Sequence, residues 1–201
     1  MTKTLFALKY IFAARRRFVP EIILDIPTSR VSYLQFPEFF FDKSLRARRK
    51  TAVLPGDWDQ EIGREVYWSS KYEPSQEHER GMVPLEKYVF FRSAAAHFHR
   101  GVPWRETEWY DWILRASPRR YENALQITER LAFIDRLYED ACNGLFVDNP
   151  NSLPLINMGR ESRVSIDDGR HRICIARLAQ VDTIRVKVKV AHPDYIAANG
   201  Q

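Results

Sequence analysis

The chain has 201 residues, 45% of them hydrophobic, with 8 Gly and 11 Pro. This is the length of one domain with enough apolar content for a core, which excludes a disordered, fibrous or low-complexity chain. Two Cys exclude a disulfide framework and point to a reducing, cytoplasmic setting; no apolar run reaches the roughly 18 residues that would cross a bilayer. The net charge is +5, but residues 1–50 carry 11 basic against 4 acidic side chains, and the remaining 151 carry 20 against 22. A basic front end thus precedes a near-neutral body, and the overall charge does not by itself indicate nucleic acid.

Residues 1–20 hold no acid. An apolar stretch (Leu5, Phe6, Leu8, Tyr10, Ile11, Phe12) is followed by Arg15, Arg16 and Arg17, which predicts a short basic amphipathic helix with its cations at the favourable end of the dipole. The charges follow the apolar stretch instead of preceding it, which argues against a secretory signal; an organellar transit peptide has a similar composition. A second basic cluster (Arg46, Arg48, Arg49, Lys50) follows Phe36, Phe39, Phe40 and Phe41. Aromatics beside cations can stack bases, or form a core edge beside a solvated loop. Arg15, Arg16, Arg17, Arg48 and Arg49 are the candidates for contact with an anionic membrane surface or nucleic acid, the former making the protein peripheral at the membrane.

Residues 21–26 and 30–36 are β-branched or aromatic runs broken by Pro27 and Pro37, and predict strands or extended edges. Residues 50–54 form a third such run, stopped by Pro55-Gly56, after which come Asp57, Trp58 and Asp59. Residues 67–80 are polar and predict a surface loop. Pro84 marks a helix start, Leu85–Arg100 has helical periodicity and Gly101 closes it. A second short helix fits 103–114, with Thr107 near its start. Residues 121–145 carry the clearest helix, stopped by Gly144. Residues 153–158 and 163–166 then predict short strands around a turn at Gly159–Glu161, and 169–180 a helix. Residues 183–191 alternate, with Ile184, Val186, Val188 and Val190 on one side and Arg185, Lys187 and Lys189 on the other, as in a half-buried strand.

The block with most chemical content is strand, Asp167-Asp168-Gly169-Arg170-His171-Arg172, helix, strand. Glycine at a strand-to-helix turn lets backbone approach a ligand closely, and the amides and dipole of the following helix favour an anion there. Arg170, His171 and Arg172 add donors around the same point. Asp168 is placed to hold Mg²⁺ or to take a proton from an attacking hydroxyl.

On these residues, segment 119–192 resembles the core of the ParB/sulfiredoxin superfamily, whose members carry Asp-Gly-x-His-Arg or Gly-Glu-Arg-Arg at this turn. The resemblance implies an α+β fold: a small mixed sheet with packed helices, here a single domain over 21–195 with a helical insertion at about 84–118 and a tail at 196–201. It implies nucleotide binding, with ATP or another nucleotide and Mg²⁺ as cofactors and Gly169, Arg170, His171 and Arg172 on the phosphates. Sulfiredoxins have Cys where this chain has Arg170, so sulfinic-acid reduction is not expected, and Cys174 reads as a small core residue. Only nine residues follow His192, so the helix-turn-helix domain of partition-type ParB proteins is not expected. The form is closer to the superfamily's small-molecule kinases, with a weaker link to DNA-modification-associated proteins.

Asp57 and Asp59 alternate along a segment after a turn, so both carboxylates can converge on one metal or hydroxyl; with Asp168 they would complete a phosphotransfer site, the plain alternative being a surface turn with a packed Trp. His97 and His99 point to different helix faces and make a poor metal pair. His192 reads as a strand cap. Trp104, Trp109 and Trp112 read as core ahead of an aromatic wall for a sugar or base, and Glu106 and Glu108 as first-turn acids. No Walker A, Gly-x-Ser-x-Gly or zinc-type spacing is present. The leading reading is a nucleotide-dependent phosphotransferase acting on a small hydroxyl compound or glycan, with Asp168, Asp57 and Asp59 catalytic. The alternative is a nucleotide-gated nucleic-acid-binding module that grips through residues 9–17 and 43–50, with DNA cleavage ranked last.

Overall fold

The computed structural model describes residues 17–36, 49–60, 81–120, 124–146 and 152–199. Within them the chain is α+β, with a mixed sheet of eight strands and five α-helices. The strands are β1 (Arg17–Pro20), β2 (Ile22–Pro27), β3 (Val31–Phe36), β4 (Lys50–Val53), β5 (Gly81–Pro84), β6 (Leu155–Met158), β7 (Val164–Asp168) and β8 (Thr183–Ala191). The helices are α1 (Val89–Arg100), α2 (Glu108–Arg120), α3 (Ala124–Cys142), α4 (Arg170–Leu178) and α5 (Pro193–Asn199).

Along the sheet the order is β1-β4-β8-β6-β7-β3-β5, and β2 also pairs with β8. The nine residues of β8 serve two neighbours on one edge. β2 runs antiparallel along Thr183–Val188, and β4 runs parallel beside Val190 and Ala191. Thr51 bridges the handover: its hydroxyl accepts from the Ile22 N–H at 3.1 Å and donates to the Val188 carbonyl at 2.8 Å. A buried hydroxyl thereby completes backbone pairing that a broken ladder would leave open.

One sheet face is apolar. Ile184, Val186 and Val188 of β8, Ile156 of β6, Val164 and Ile166 of β7 and Leu34 of β3 form one core with Phe90, Trp104, Trp109 and Ile113 of the α1–α2 segment and Ile173 and Ile175 of α4. A smaller cluster joins Val190 to Ala52, Leu54 and Trp58. Val190 therefore does not share the face of Val186 and Val188, as strict alternation predicts. Opposite β6, Val188 pairs with Ile156 and Val190 with Asn157, so Lys189 is an extra residue. Such a bulge re-aims the side chains that follow it. It also buries Lys189, which is 8% exposed.

Other differences have local causes. Up to residue 16 the expected N-terminal helix lies outside the described residues, and Arg17–Pro20 is strand, paired with β4. Its Phe and Val suit a strand, and Pro20 ends it. Pro84 closes β5 instead of opening a helix, because β3 recruits Gly81–Pro84 as an antiparallel partner. A 3-10 turn at Leu85–Lys87 follows, and α1 begins at Val89. Thr107 does start α2: its hydroxyl accepts from the Tyr110 N–H at 3.3 Å, the geometry of a helix N-cap. Part of the expected tail is α5, which opens on Pro193, a favoured first helical residue. The predicted loop at 67–80 lies outside the described residues.

Candidate functional site

β7 ends at Asp168, Gly169 turns the chain and α4 begins at Arg170. Gly169 has φ +76°, and a Cβ there would sit 2.9 Å from Cα and Cβ of Pro154. Only glycine suits both the left-handed backbone and that contact. No side chain caps this end of α4. Asp168 is half-buried, and its Oδ1 accepts from the Gly169 N–H at 2.7 Å. The carboxylate thereby stays at the mouth of the turn.

The three basic residues that follow are not equivalent. Arg170 is 8% exposed, and burial pushes its pKa down to about 10, so it is still cationic at neutral pH. His171 packs on Phe90, with ring centroids 4.2 Å apart, and edge-on to Trp109 at 5.6 Å. Its Nδ1 meets Nη2 of Arg130. A guanidinium can only donate in such a contact. Arg172 is half-buried and reaches Ser152 Oγ at 3.5 Å. Among the described residues, Arg130, Arg170, His171 and Arg172 thus lie around the glycine turn that carries Asp168. Arg130 and Ser152 are additions that the sequence did not indicate, since α3 delivers Arg130 from 41 residues away.

Asp57 and Asp59 do converge, but on Arg160. Arg160 Nη2 lies 3.0 Å from Asp57 Oδ1 and 2.6 Å from Asp59 Oδ1, and its backbone N–H donates to Asp59 Oδ2 at 2.5 Å. Arg163 adds a bond to the Asp59 carbonyl at 2.9 Å. Asp59 is 1% exposed. Burial alone would raise its pKa; the hydrogen bonds and charge of Arg160 outweigh it and hold the carboxyl below its ordinary 3.8. Gly159 admits this contact, because a Cβ there would lie 2.6 Å from Asp59 Cβ. Trp58 is fully buried and donates from Nε1 to the Leu54 carbonyl at 3.0 Å. The segment is thus a pinned turn.

These acids do not meet the Asp168 turn. Met158 pairs with Val164 at one end of the β6–β7 hairpin and Leu155 with Asp168 at the other. Arg160 lies beyond the first end and Gly169 beyond the second. Four residue steps of β7 separate them at the least, about 13 Å. The expected two-part site is therefore corrected: Asp57 and Asp59 hold the hairpin turn, and Asp168 stands without them.

The remaining candidates are structural. His97 Nδ1 meets the Val102 carbonyl at 2.8 Å, whereas His99 Nε2 meets the Leu178 carbonyl at 3.1 Å. Trp104, Trp109 and Trp112 are buried, and Trp104 Nε1 donates to Asp135 Oδ1 at 2.7 Å. Glu108 pairs with Arg92 at 2.6 Å. His192 is buried, its Nδ1 accepting from the Asp194 N–H at 3.2 Å. Cys174 is buried, and burial pushes its thiol up, so it stays protonated. Arg15, Arg16 and Arg48 lie outside the described residues; Arg17 and Arg49 are exposed. Among the described residues no cluster of three His, Cys, Asp or Glu side chains is placed to hold a metal, and no helix is long and apolar enough to cross a membrane. A Mg²⁺ that keeps its waters and takes phosphate oxygens needs only one or two carboxylates, so Asp168 fits that more modest demand.

A second polar group lies on the opposite face of the sheet. Asp167 Oδ2 and Lys189 Nζ are 2.5 Å apart, and Asn157 Nδ2 approaches Asp167 Oδ1 at 3.4 Å. Ser165 Oγ approaches Gln35 Oε1 at 3.4 Å. Gln35, Asn157 and Ser165 are fully buried. Gln35 Nε2 and Asn157 Oδ1 have no hydrogen-bond partner, at a cost of about 1–3 kcal/mol for each such group.

No protein-family model, curated protein or solved structure matches the chain.

Proposed function

We propose that this protein is a nucleotide-dependent phosphotransferase on a ParB/sulfiredoxin-like fold, with a small hydroxyl compound or glycan as acceptor. The observation that carries the reading is the Gly169 turn. It joins a left-handed glycine backed by Pro154, a helix end that no side chain caps, and basic groups from two helices near Asp168. Such a turn suits a phosphate, because helix dipole and guanidinium donors act on the same charge.

In this reading Gly169 lets the terminal phosphates approach, the first-turn N–H groups of α4 bind them, and Arg172 supplies a half-buried positive charge. Arg170 adds a fixed one from its buried position. Arg130 orients His171, whose ring is held by Phe90 and Trp109. Asp168 takes the proton of the attacking hydroxyl or, with Mg²⁺ bound, would hold the metal instead. The bound metal would neutralise developing charge. Positioning and charge compensation supply most of the rate.

The test is consumption of ATP or ADP with a panel of hydroxyl acceptors, alongside Asp168→Ala and Arg172→Ala. Turnover with one acceptor, lost in Asp168→Ala, supports the reading. Nucleotide binding without turnover on any acceptor counts against an enzyme.

A further inference from the structure

We propose that the outer edge of β2 is a pairing surface for a second copy of this chain. The two β2 strands run antiparallel about a two-fold axis at Leu24 and join two sheets into one. The proposal does not rest on the nucleotide reading.

β2 borders β8 along its whole length without a bulge, and among the described residues no strand borders its other side. Two contacts show which backbone groups face that open side. The Ile22 N–H donates to Thr51 Oγ1 and the Thr28 N–H to the Asp182 carbonyl, both at 3.1 Å, so both turn toward β8. Along an antiparallel ladder this direction alternates from residue to residue. Leu24 and Ile26 therefore turn inward as well, and the N–H and C=O groups of Ile23 and Asp25 turn outward. Both residues are exposed, Ile23 by 43%. An apolar edge with open donors and acceptors is a template for another strand.

Which strand fits follows from register and charge. Ile22, Leu24 and Ile26 belong to the main core, so a partner strand must keep its apolar side chains on that face. A copy of β2 does so when the two-fold axis passes through a residue. An axis at Ile23 sets Glu21 opposite Asp25 of the second copy, and like charges opposite each other repel. An axis at Asp25 sets Ile23 opposite Pro27, which has no N–H to give. Axes nearer either end shorten the ladder. An axis at Leu24 avoids all three faults. Ile23 of each copy then faces Asp25 of the other, and every outward N–H and C=O of the two residues is matched. Leu24 meets its own copy and Ile22 meets Ile26, which continues the apolar face across the contact. Such a two-fold contact is closed and self-complementary.

The experiment is sedimentation equilibrium of the full chain from micromolar to millimolar concentration, with hydrogen exchange read along β2. The proposal expects the mass to rise from 23.7 kDa toward twice that value. The Ile23 and Asp25 amides should gain protection with concentration, while those of Leu24 and Ile26 are protected throughout. Asp25→Pro removes an outward donor that β8 does not use, a place where an edge strand accepts proline, and should leave a folded monomer. Ile23→Lys sets a cation opposite Asp25 of the second copy and should tighten the dimer. Ile23→Glu sets a like charge there and should loosen it, with a gap of about tenfold in dissociation constant between the two variants. Within one chain the order is reversed, because Ile23 lies opposite Lys187, so monomer stability does not produce this result. Should Asp25→Pro not fold, the two Ile23 variants carry the test. A monomer at every concentration, a folded Asp25→Pro that still dimerises, or equal dissociation constants in the Ile23 variants would overturn the proposal.

Discussion

The two ends of the β6–β7 hairpin use the same residue types to opposite effect. At one end Gly159 and Arg160 meet Asp57 and Asp59; at the other Asp168 and Gly169 lead into the helix that carries Arg170 and Arg172. The first end is closed. Arg160 is held by two carboxylates from a loop 101 to 103 residues away in sequence, and buried Asp59 takes both its side-chain and its backbone donors. At the second end the described contacts join Asp168 to the Gly169 N–H and Arg172 to Ser152, and no side chain caps the helix that starts there. An Asp-Gly-Arg composition is therefore not a site in itself. Among the described contacts, what marks the clasp is that two carboxylates close on one arginine.

That contrast can be broken at either end. The largest effect expected is on turnover: Asp168→Ala should lower it by about 10²–10⁴-fold, the range for loss of a general base, while the melting temperature changes little. Steady-state kinetics beside a thermal melt would check this. Gly169→Ala comes next. A Cβ there meets Pro154 at 2.9 Å on a backbone with φ +76°; we expect a loss of about 2–3 kcal/mol in stability from strain and contact together, with nucleotide affinity falling as well. Asp59→Ala should cost about 2 kcal/mol, the scale of hydrogen bonds to a charged group. In denaturant melts it should leave nucleotide affinity alone.

The smallest effect is the pH dependence of the closed end. Asp59 has a folded pKa below its ordinary 3.8. Its contribution is therefore complete above that value and is lost as pH falls toward the folded pKa. The stability gap between the parent and Asp59→Ala should be constant from pH 5 to 8 and should shrink below about pH 3.8. A gap that widens on acidification would mean that Arg160 does not hold the carboxylate ionised.

The difference between the two ends also explains how much was legible in the sequence. The α4 turn is local: Asp168, Gly169 and Arg172 fall within five residues, and a strict alternating strand follows. Residues 183–191 stand out for the same reason, and β8 has those bounds. The clasp is not local, because nothing in Pro55–Asp59 names Arg160 as its partner. β5 is four residues with Gly at one end and Pro at the other, and only its pairing with β3 makes it a strand. The burial of Lys189 escaped notice because an alternating pattern reports faces but not bulges. A register shift against β6, set by packing between distant segments, turned that lysine inward.

The central claim is that the open end of the hairpin binds the phosphates and the closed end does not. Calorimetric titration of ADP into the parent protein, Arg172→Ala and Asp59→Ala tests it most directly. The account predicts at least tenfold weaker binding in Arg172→Ala and affinity within about twofold of the parent in folded Asp59→Ala, on the scale of one lost charge-assisted hydrogen bond. Parent-like affinity in Arg172→Ala, or lost binding in a folded Asp59→Ala, would contradict it.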